Sequence, residues 1–369
     1  MDSTRGERAG RGQEAGERLH WIDGLRAVAI LLVVAHHTFT RPALVALHSL
    51  GLGAYEPLVL RTTAAGVELF FVISGAVLLR PYLRERRPFR VGRYALRRVQ
   101  RIWPPYFVAL VFSAGVLALA AAFPNWYSTA NLPPVDWRGF LQHVPIVMFD
   151  HEARYSIAWW SLAVEILFYA ALPLLLLLGR AVPLTAPRLL LLLAGSVVLS
   201  EALVRHLDFA VPIDADPLTT FFVFLPCFVL GILLALRDWT PAWGWACLGL
   251  GITGILTAAL VTPLSYNAAY GFAWAGIAVL ASNGGRLRNW LSRPGMVWLG
   301  ERSYSLFLIH LSVLHLVYWA CAQIEPGRTL LYFGLTRSLG LALAVAATLL
   351  LFHAVEKRFA RGLVTADRW

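Results

Sequence analysis

The chemistry this chain can do starts from Arg26 and His37. Both lie in residues 19–40, LHWIDGLRAVAILLVVAHHTFT, an apolar stretch in which a guanidinium and an imidazole need a reason to be there. Eleven positions separate them. At about 100° per residue, that interval returns a helix to within about 20° of its starting face and raises it roughly 16 Å. Arg26 and His37 therefore share one stripe at two membrane depths, while His36 points elsewhere. Ionisable groups inside a bilayer are costly and face a bundle interior or a wet cavity, so this stripe reads as a site.

A second constellation lies in WWSLAVEILFY. Ser161, Glu165 and Tyr169 follow at i, i+4 and i+8 and share a helix face. Glu165 falls about six residues, roughly 9 Å, below the outer edge of its span, and His37 about sixteen residues, roughly 24 Å, above the inner edge of its own. In a hydrocarbon core of roughly 30 Å both reach the outer half. An acid beside an imidazole would make a base and its orienter, or a buried pair that locks two helices.

Glu68 stands near the outer end of GVELFFVISGAVLLR, where it reaches the headgroups or takes a role. Arg98 and Arg101 are three apart on the helix entering the membrane at Trp103–Pro104, and two guanidinium forks there suit a phosphate-bearing ligand. In ERSYSLFLIHLSVLHLVYW, Ser303 and His310 are seven apart on one face, and His315 reads as a hydrogen bonder between helices. No HxxxH, HExxH or Cys/His cluster offers metal ligands, and no GxSxG elbow, P-loop or GxGxxG occurs.

These residues need helices to hold them. The 369 residues are 58% hydrophobic and 14% charged, with a mean hydropathy of +0.63. That composition excludes a soluble domain and predicts an all-α, polytopic transmembrane bundle. Ten apolar segments stand out, at about 21–40, 64–80, 104–123, 158–179, 187–204, 218–236, 243–261, 264–282, 300–321 and 330–354, with 243–282 also readable as one re-entrant unit. Threading them in order with both termini cytoplasmic puts 24 of the 32 Lys and Arg residues on the inner side and 7 on the outer, with Arg26 inside the membrane. The net charge of +11 is thus an orientation signal, and nucleic acid is not expected as a partner. Cys227, Cys247 and Cys321 lie in apolar segments without CxxC spacing and read as free thiols. The outer segment 124–157 carries Trp126 and Trp137, as interfacial anchors or as faces for a sugar, and Asp136 and Asp150.

Taken in order, IDGLRAVAILLVVAHH, GVELFFVISG, RRVQRIWPPY, WSLAVEILFYAALPLL and YSLFLIH resemble the membrane-bound acyltransferase 3 family over almost the whole chain. The family's Arg-x10-His motif falls on Arg26 and His37, its RxxR pair on Arg98 and Arg101, and its acid before FFVISG on Glu68. Its tryptophan–serine–glutamate motif falls on Trp160, Ser161 and Glu165, and its YSLYLIH motif on Tyr304, Ser305 and His310. Many members read VEEQFY where this chain has VEILFY, so Ile166 has no catalytic role, and the hydrolase-like C-terminal domain of some members is not expected.

The resemblance implies O-acyl transfer from cytoplasmic acyl-CoA, acetyl-CoA in the first instance, to a carbohydrate or glycosylated hydroxyl. No bound cofactor is implied. His37, Glu165 and Arg26 would be catalytic. Arg98, Arg101, Glu68, Ser161, Tyr169, Ser305 and His310 would bind substrate. The implied layout is a cytoplasmic tail over 1–18, a transmembrane acyltransferase domain over 19–355 in the cell membrane, and a second tail over 356–369. Neither the acyl chain, the acceptor nor the oligomeric state is legible. Two other readings fit the residues: a proton-coupled carrier of a sugar or anion, and a structural partner in glycan assembly. Proton-dependent uptake into proteoliposomes without acyl-CoA consumption would mark the carrier. Replacement of Arg26, His37 and Glu165 without functional loss would mark the structural partner.

Overall fold

The computed structural model describes residues 19–85, 87–135, 137–146, 155–206, 216–260, 266–324 and 330–360. The tail expected over 1–18, Asp136, Asp150 and the end of the C-terminal tail fall outside them. The described residues form helices and loops, with no strand. The long helices are α1 (His20–Ser49), α3 (Gly66–Leu83), α4 (Val91–Ala122), α7 (Trp160–Ala181), α8 (Ala186–His206), α9 (Pro217–Leu236), α10 (Pro241–Leu260), α11 (Tyr266–Ser282), α14 (Ser303–Ile324) and α15 (Leu330–Leu351). Short helices α2 (Glu56–Ala64), α5 (Trp126–Asn131), α6 (Trp137–His143), α12 (Gly285–Leu291) and α13 (Pro294–Glu301) connect them.

Among the described residues, nine helical stretches are long and apolar enough to cross a membrane. They make the chain a multi-pass membrane protein. The tenth segment, α11, has 17 residues and reaches about 25 Å, short of a core of roughly 30 Å. It is buried along most of its length and packs on α9, α10 and α3. Residues 243–282 thus form two helices, with the connection at 261–265 outside the described residues. Two helices outrun their hydropathy. α1 continues to Ser49, and α4 begins at Val91, so Arg93, Arg97, Arg98 and Arg101 stand on the same rod as the adjoining span.

Two large apolar cores, with two smaller clusters beside them, hold the bundle. One joins residues of α1, α4 and α14. The other joins α3, α7, α8, α9 and α11 and includes Phe71 and Phe168 against Phe228. Val67 and Tyr169 pack against both, so a seam runs between the cores. Helix α9 is the platform of the second core: α3 and α7 both lie on it. The α3–α9 crossing is held by Gly75 and Gly231, where a Cβ on either would fall on the backbone of the other helix. Small residues allow this close approach, which apolar lipid by itself does not drive.

The chain's three cysteines are free, with Cys227 and Cys321 buried. Trp126 and Tyr127 pack onto the first core, whereas Trp137 is exposed. The close crossing predicts that Gly231→Leu forces α3 and α9 apart, an overpacking cost of about 1–3 kcal/mol or more. The thermal midpoint of the purified protein should fall by several degrees. Gly249→Leu, on α10 with open space where a Cβ would go, should leave it unchanged.

Candidate active site

A cavity of about 670 Å³ occupies the seam. Its apolar wall comes from α3 (Phe70, Phe71, Val77) and α14 (Phe307). Its polar wall converges from four helices: Arg26 of α1, Ser74 of α3, Ser161, Glu165 and Tyr169 of α7, and Ser303 and Tyr304 of α14. The exposed Arg87, Arg90 and Arg93 stand at its mouth, and the partly buried Arg97, Arg98 and Arg101 continue inward. Arg93, Arg97 and Arg101 are spaced i, i+4 and i+8, so one face of α4 presents guanidinium groups inward. Arg98 is pinned between rings, 5.6 Å from the centroids of both Tyr94 and Tyr169.

Glu165 anchors the polar wall. Its carboxylate accepts a hydrogen bond from Ser74 Oγ at 2.8 Å and another from Tyr169 Oη, one turn along its own helix. Arg26 bonds Asp23 at 3.3 Å and lies within Coulombic reach of Glu165 and Arg101. Arg26, Arg101 and Glu165 thus share the cavity, while Asp23 pairs with Arg26 outside its lining. A charge buried among such partners costs far less than one alone.

Six of the expected residues meet here: Arg26, Arg98, Arg101, Ser161, Glu165 and Tyr169. His37 does not pair with Glu165, and this corrects the depth argument. Its Nδ1 lies 3.1 Å from His310 Nε2, with ring centroids 5.1 Å apart. The physical reason is which helices are neighbours: α1 packs on α3, α13 and α14, whereas α7 packs on α9. Glu165 instead lies within reach of Arg26, eleven residues and roughly 16 Å before His37 on the same helix, so the two groups do not share one depth. Neither histidine lines the cavity among its described residues; Phe307, which does, has its ring centroid 6.4 Å from that of His310.

The remaining expected residues sit apart. Ser305 is fully buried and donates to Glu356 at 2.5 Å. Glu68 is buried at the start of α3, with Arg61 in Coulombic reach and its Oε2 unpartnered among the described residues. His315 bonds Tyr127 Oη at 2.7 Å, which ties α14 to α5, the packing role its sequence suggests.

Besides Asp23, the partner of Arg26, Glu356 is the site neighbour that sequence reasoning missed. It ends the π turn Phe352–Glu356, is 8% exposed, and has Arg101 and Arg26 within Coulombic reach. A π turn inserts one extra residue and rotates the downstream part of the helix, and here an acid beyond the apolar run faces the bundle. The signal was present as an acid just beyond the apolar run 330–354. Hydropathy assigns such a residue to the tail beyond the span, yet residues 356–360 continue the helix. Among the described residues, no group of three His, Cys, Asp or Glu side chains is placed to hold a metal ion.

The acyltransferase domain (acyltransferase 3) matches residues 19–355 of this chain. The exopolysaccharide production protein ExoZ of Rhizobium meliloti (strain 1021) is 29% identical over 330 residues, 82% of this chain and 92% of the relative. The acyltransferase MdmB of Streptomyces mycarofaciens is 28% identical over 324 residues, 80% of this chain and 79% of the relative. Nodulation protein 10 of Rhizobium leguminosarum bv. viciae is 26% identical over 278 residues, covering 69% and 72%. No solved structure matches.

The cavity geometry predicts that a cysteine at Ser74 or Ser161 reacts with a membrane-impermeant thiol reagent only from the face that carries the arginine-lined mouth. Labelling of inside-out and right-side-out vesicles, with Cys227, Cys247 and Cys321 replaced by Ser, checks this. Equal labelling from both faces would contradict the one-mouthed cavity.

Proposed function

The chain belongs to the acyltransferase 3 family and is a multi-pass membrane O-acyltransferase; from that premise we propose that it moves an acyl group, acetyl in the first instance, from acyl-CoA to a carbohydrate hydroxyl. The observation that carries this reading is the cavity in the seam. Its volume suits a small-molecule ligand, for which about 300–1,000 Å³ is usual. Its cationic mouth and mixed polar and apolar interior suit a donor with phosphates at one end and a thioester at the other. The name of the relative in exopolysaccharide production supports a carbohydrate acceptor.

In this reading Arg98 and Arg101 hold the donor's phosphates by charge-assisted hydrogen bonds, and Arg26 sits deeper, toward the thioester. The acceptor hydroxyl gives its proton to His37 and attacks the thioester carbonyl. An ester C–O bond forms, the C–S bond breaks, and the proton passes on to the departing thiolate. Attack by His37 itself, with an acyl-imidazole between the two halves, balances equally, and trapping of an adduct separates the two routes. Glu165 holds Ser74, Tyr169 and the charge of Arg26 in register. It acts on the donor side and not as the orienter of His37.

The test is CoA thiol release from acetyl-CoA by the purified protein in detergent. Release by wild type and its loss in His37→Ala are expected; a wild-type rate in His37→Ala would overturn that assignment. Arg98→Ala and Arg101→Ala should each raise the KM for acetyl-CoA about 10- to 100-fold, the value of one hydrogen bond to a charged group. They should leave an acetyl thioester without phosphates unaffected. Proton-driven sugar uptake with no thiol release would return the carrier reading.

A further inference from the structure

His310 is wholly buried and its ring makes contacts at both nitrogens. Nδ1 lies 2.9 Å from the backbone oxygens of both Leu306 and Phe307, one turn back on α14. A carbonyl oxygen only accepts, so Nδ1 carries the hydrogen. In a neutral imidazole the other nitrogen is then bare and can only accept. That nitrogen, Nε2, is the one 3.1 Å from His37 Nδ1. The hydrogen in this contact must therefore belong to His37. The backbone of Val33, one turn before His37, is a second partner for the same ring.

We infer that His310 is a positioning residue that locks His37 as the Nδ1–H tautomer, leaving His37 Nε2 as the nitrogen that takes the proton or the acyl group. The chain of dependence begins in the backbone of α14: the carbonyls of Leu306 and Phe307 orient His310, and His310 orients His37. Such an arrangement does with a neutral imidazole what a carboxylate does in a Ser-His-Asp triad, where the third group fixes tautomer and ring orientation. A neutral orienter suits this place. The pair sits in apolar surroundings of the first core, where a second unpaired charge would be expensive. The same geometry explains why Glu165 is free to serve the arginine cluster instead. The role of Nε2 as the reactive atom rests on the acyl-transfer reading; the tautomer does not.

The experiment that separates the two is 15N NMR of the full chain, histidine-labelled in lipid nanodiscs, with the His37 signals assigned by their loss in His37→Gln. A protonated Nδ1 and a bare Nε2 on His37 are expected in the wild type. His310→Gln keeps an amide oxygen within reach of His37 Nδ1 and should preserve both the tautomer and most of kcat. His310→Leu removes the acceptor. It should mix the tautomers and lower kcat about 10- to 100-fold, the usual cost of losing a group that orients a functional imidazole, with the KM for acetyl-CoA unchanged. An Nε2–H tautomer or a stable imidazolium on wild-type His37 overturns the inference, as does a Gln variant no better than the Leu variant. Should His310→Leu fail to fold, the wild-type spectrum and the Gln variant still decide. A locked tautomer in a protein whose His37→Ala variant keeps its rate would retain the pairing and remove the reaction from it.

Discussion

Inside a bilayer, a polar group must find its partner within the protein, because no water is there to supply one. The whole site depends on that constraint. Arg26 is tolerable because Asp23 bonds it and Glu165 lies in reach. Glu165 is tolerable because Ser74 and Tyr169 donate to it. Glu356 is held by Ser305 and faces Arg26 and Arg101. Each of these pairings ties different helices or successive turns together. The polar network therefore sets both the charge balance of the cavity and the relative positions of its walls.

The apolar part of the structure determines whether those pairings can form. Ser74 precedes Gly75, the glycine at which α3 meets α9, and Glu165 lies on α7, which rests on the same α9. The separation of Ser74 and Glu165 is thus set by how closely two helices approach a third. A cavity survives between the two cores because only a few residues, such as Val67 and Tyr169, bridge them. The result is a ligand-sized space whose mouth is cationic and whose apolar wall includes Phe70 and Phe307. A donor with charge at one end fits that polarity. The histidine pair lies outside the cavity lining, with His310 next to Phe307.

How much of this was legible in the sequence can be judged residue by residue. The membrane class and the helices came directly from hydropathy, since an apolar run long enough to span has one stable backbone form in lipid. The spacing of Arg26 and His37, of Arg98 and Arg101, and of Ser161, Glu165 and Tyr169 placed each set on one helix face, and the described helices keep these registers. The sequence carried α4 outward as far as Arg98, but its further reach to Val91 was not legible, because hydropathy marks where lipid begins and not where hydrogen bonding ends. Glu356 was hidden for the same reason, lying beyond the apolar run while the helix carried on.

What the sequence determined by itself is therefore one-dimensional: which residues are ionisable within apolar helices, which face of their own helix they occupy, and how far apart along it they lie. Periodicity and rise per residue are properties of a single helix, and they carry that information completely. Which helices stand side by side was decided only by the tertiary structure. The sequence matched Glu165 with His37 in depth, yet α7 rests on α9 while α1 rests against α14, so the imidazole met His310 and the carboxylate met Ser74 and Tyr169 near Arg26. Neighbour choice depends on where small residues such as Gly75 and Gly231 let backbones close together and on how apolar faces fill two cores, and that is a property of all the helices at once.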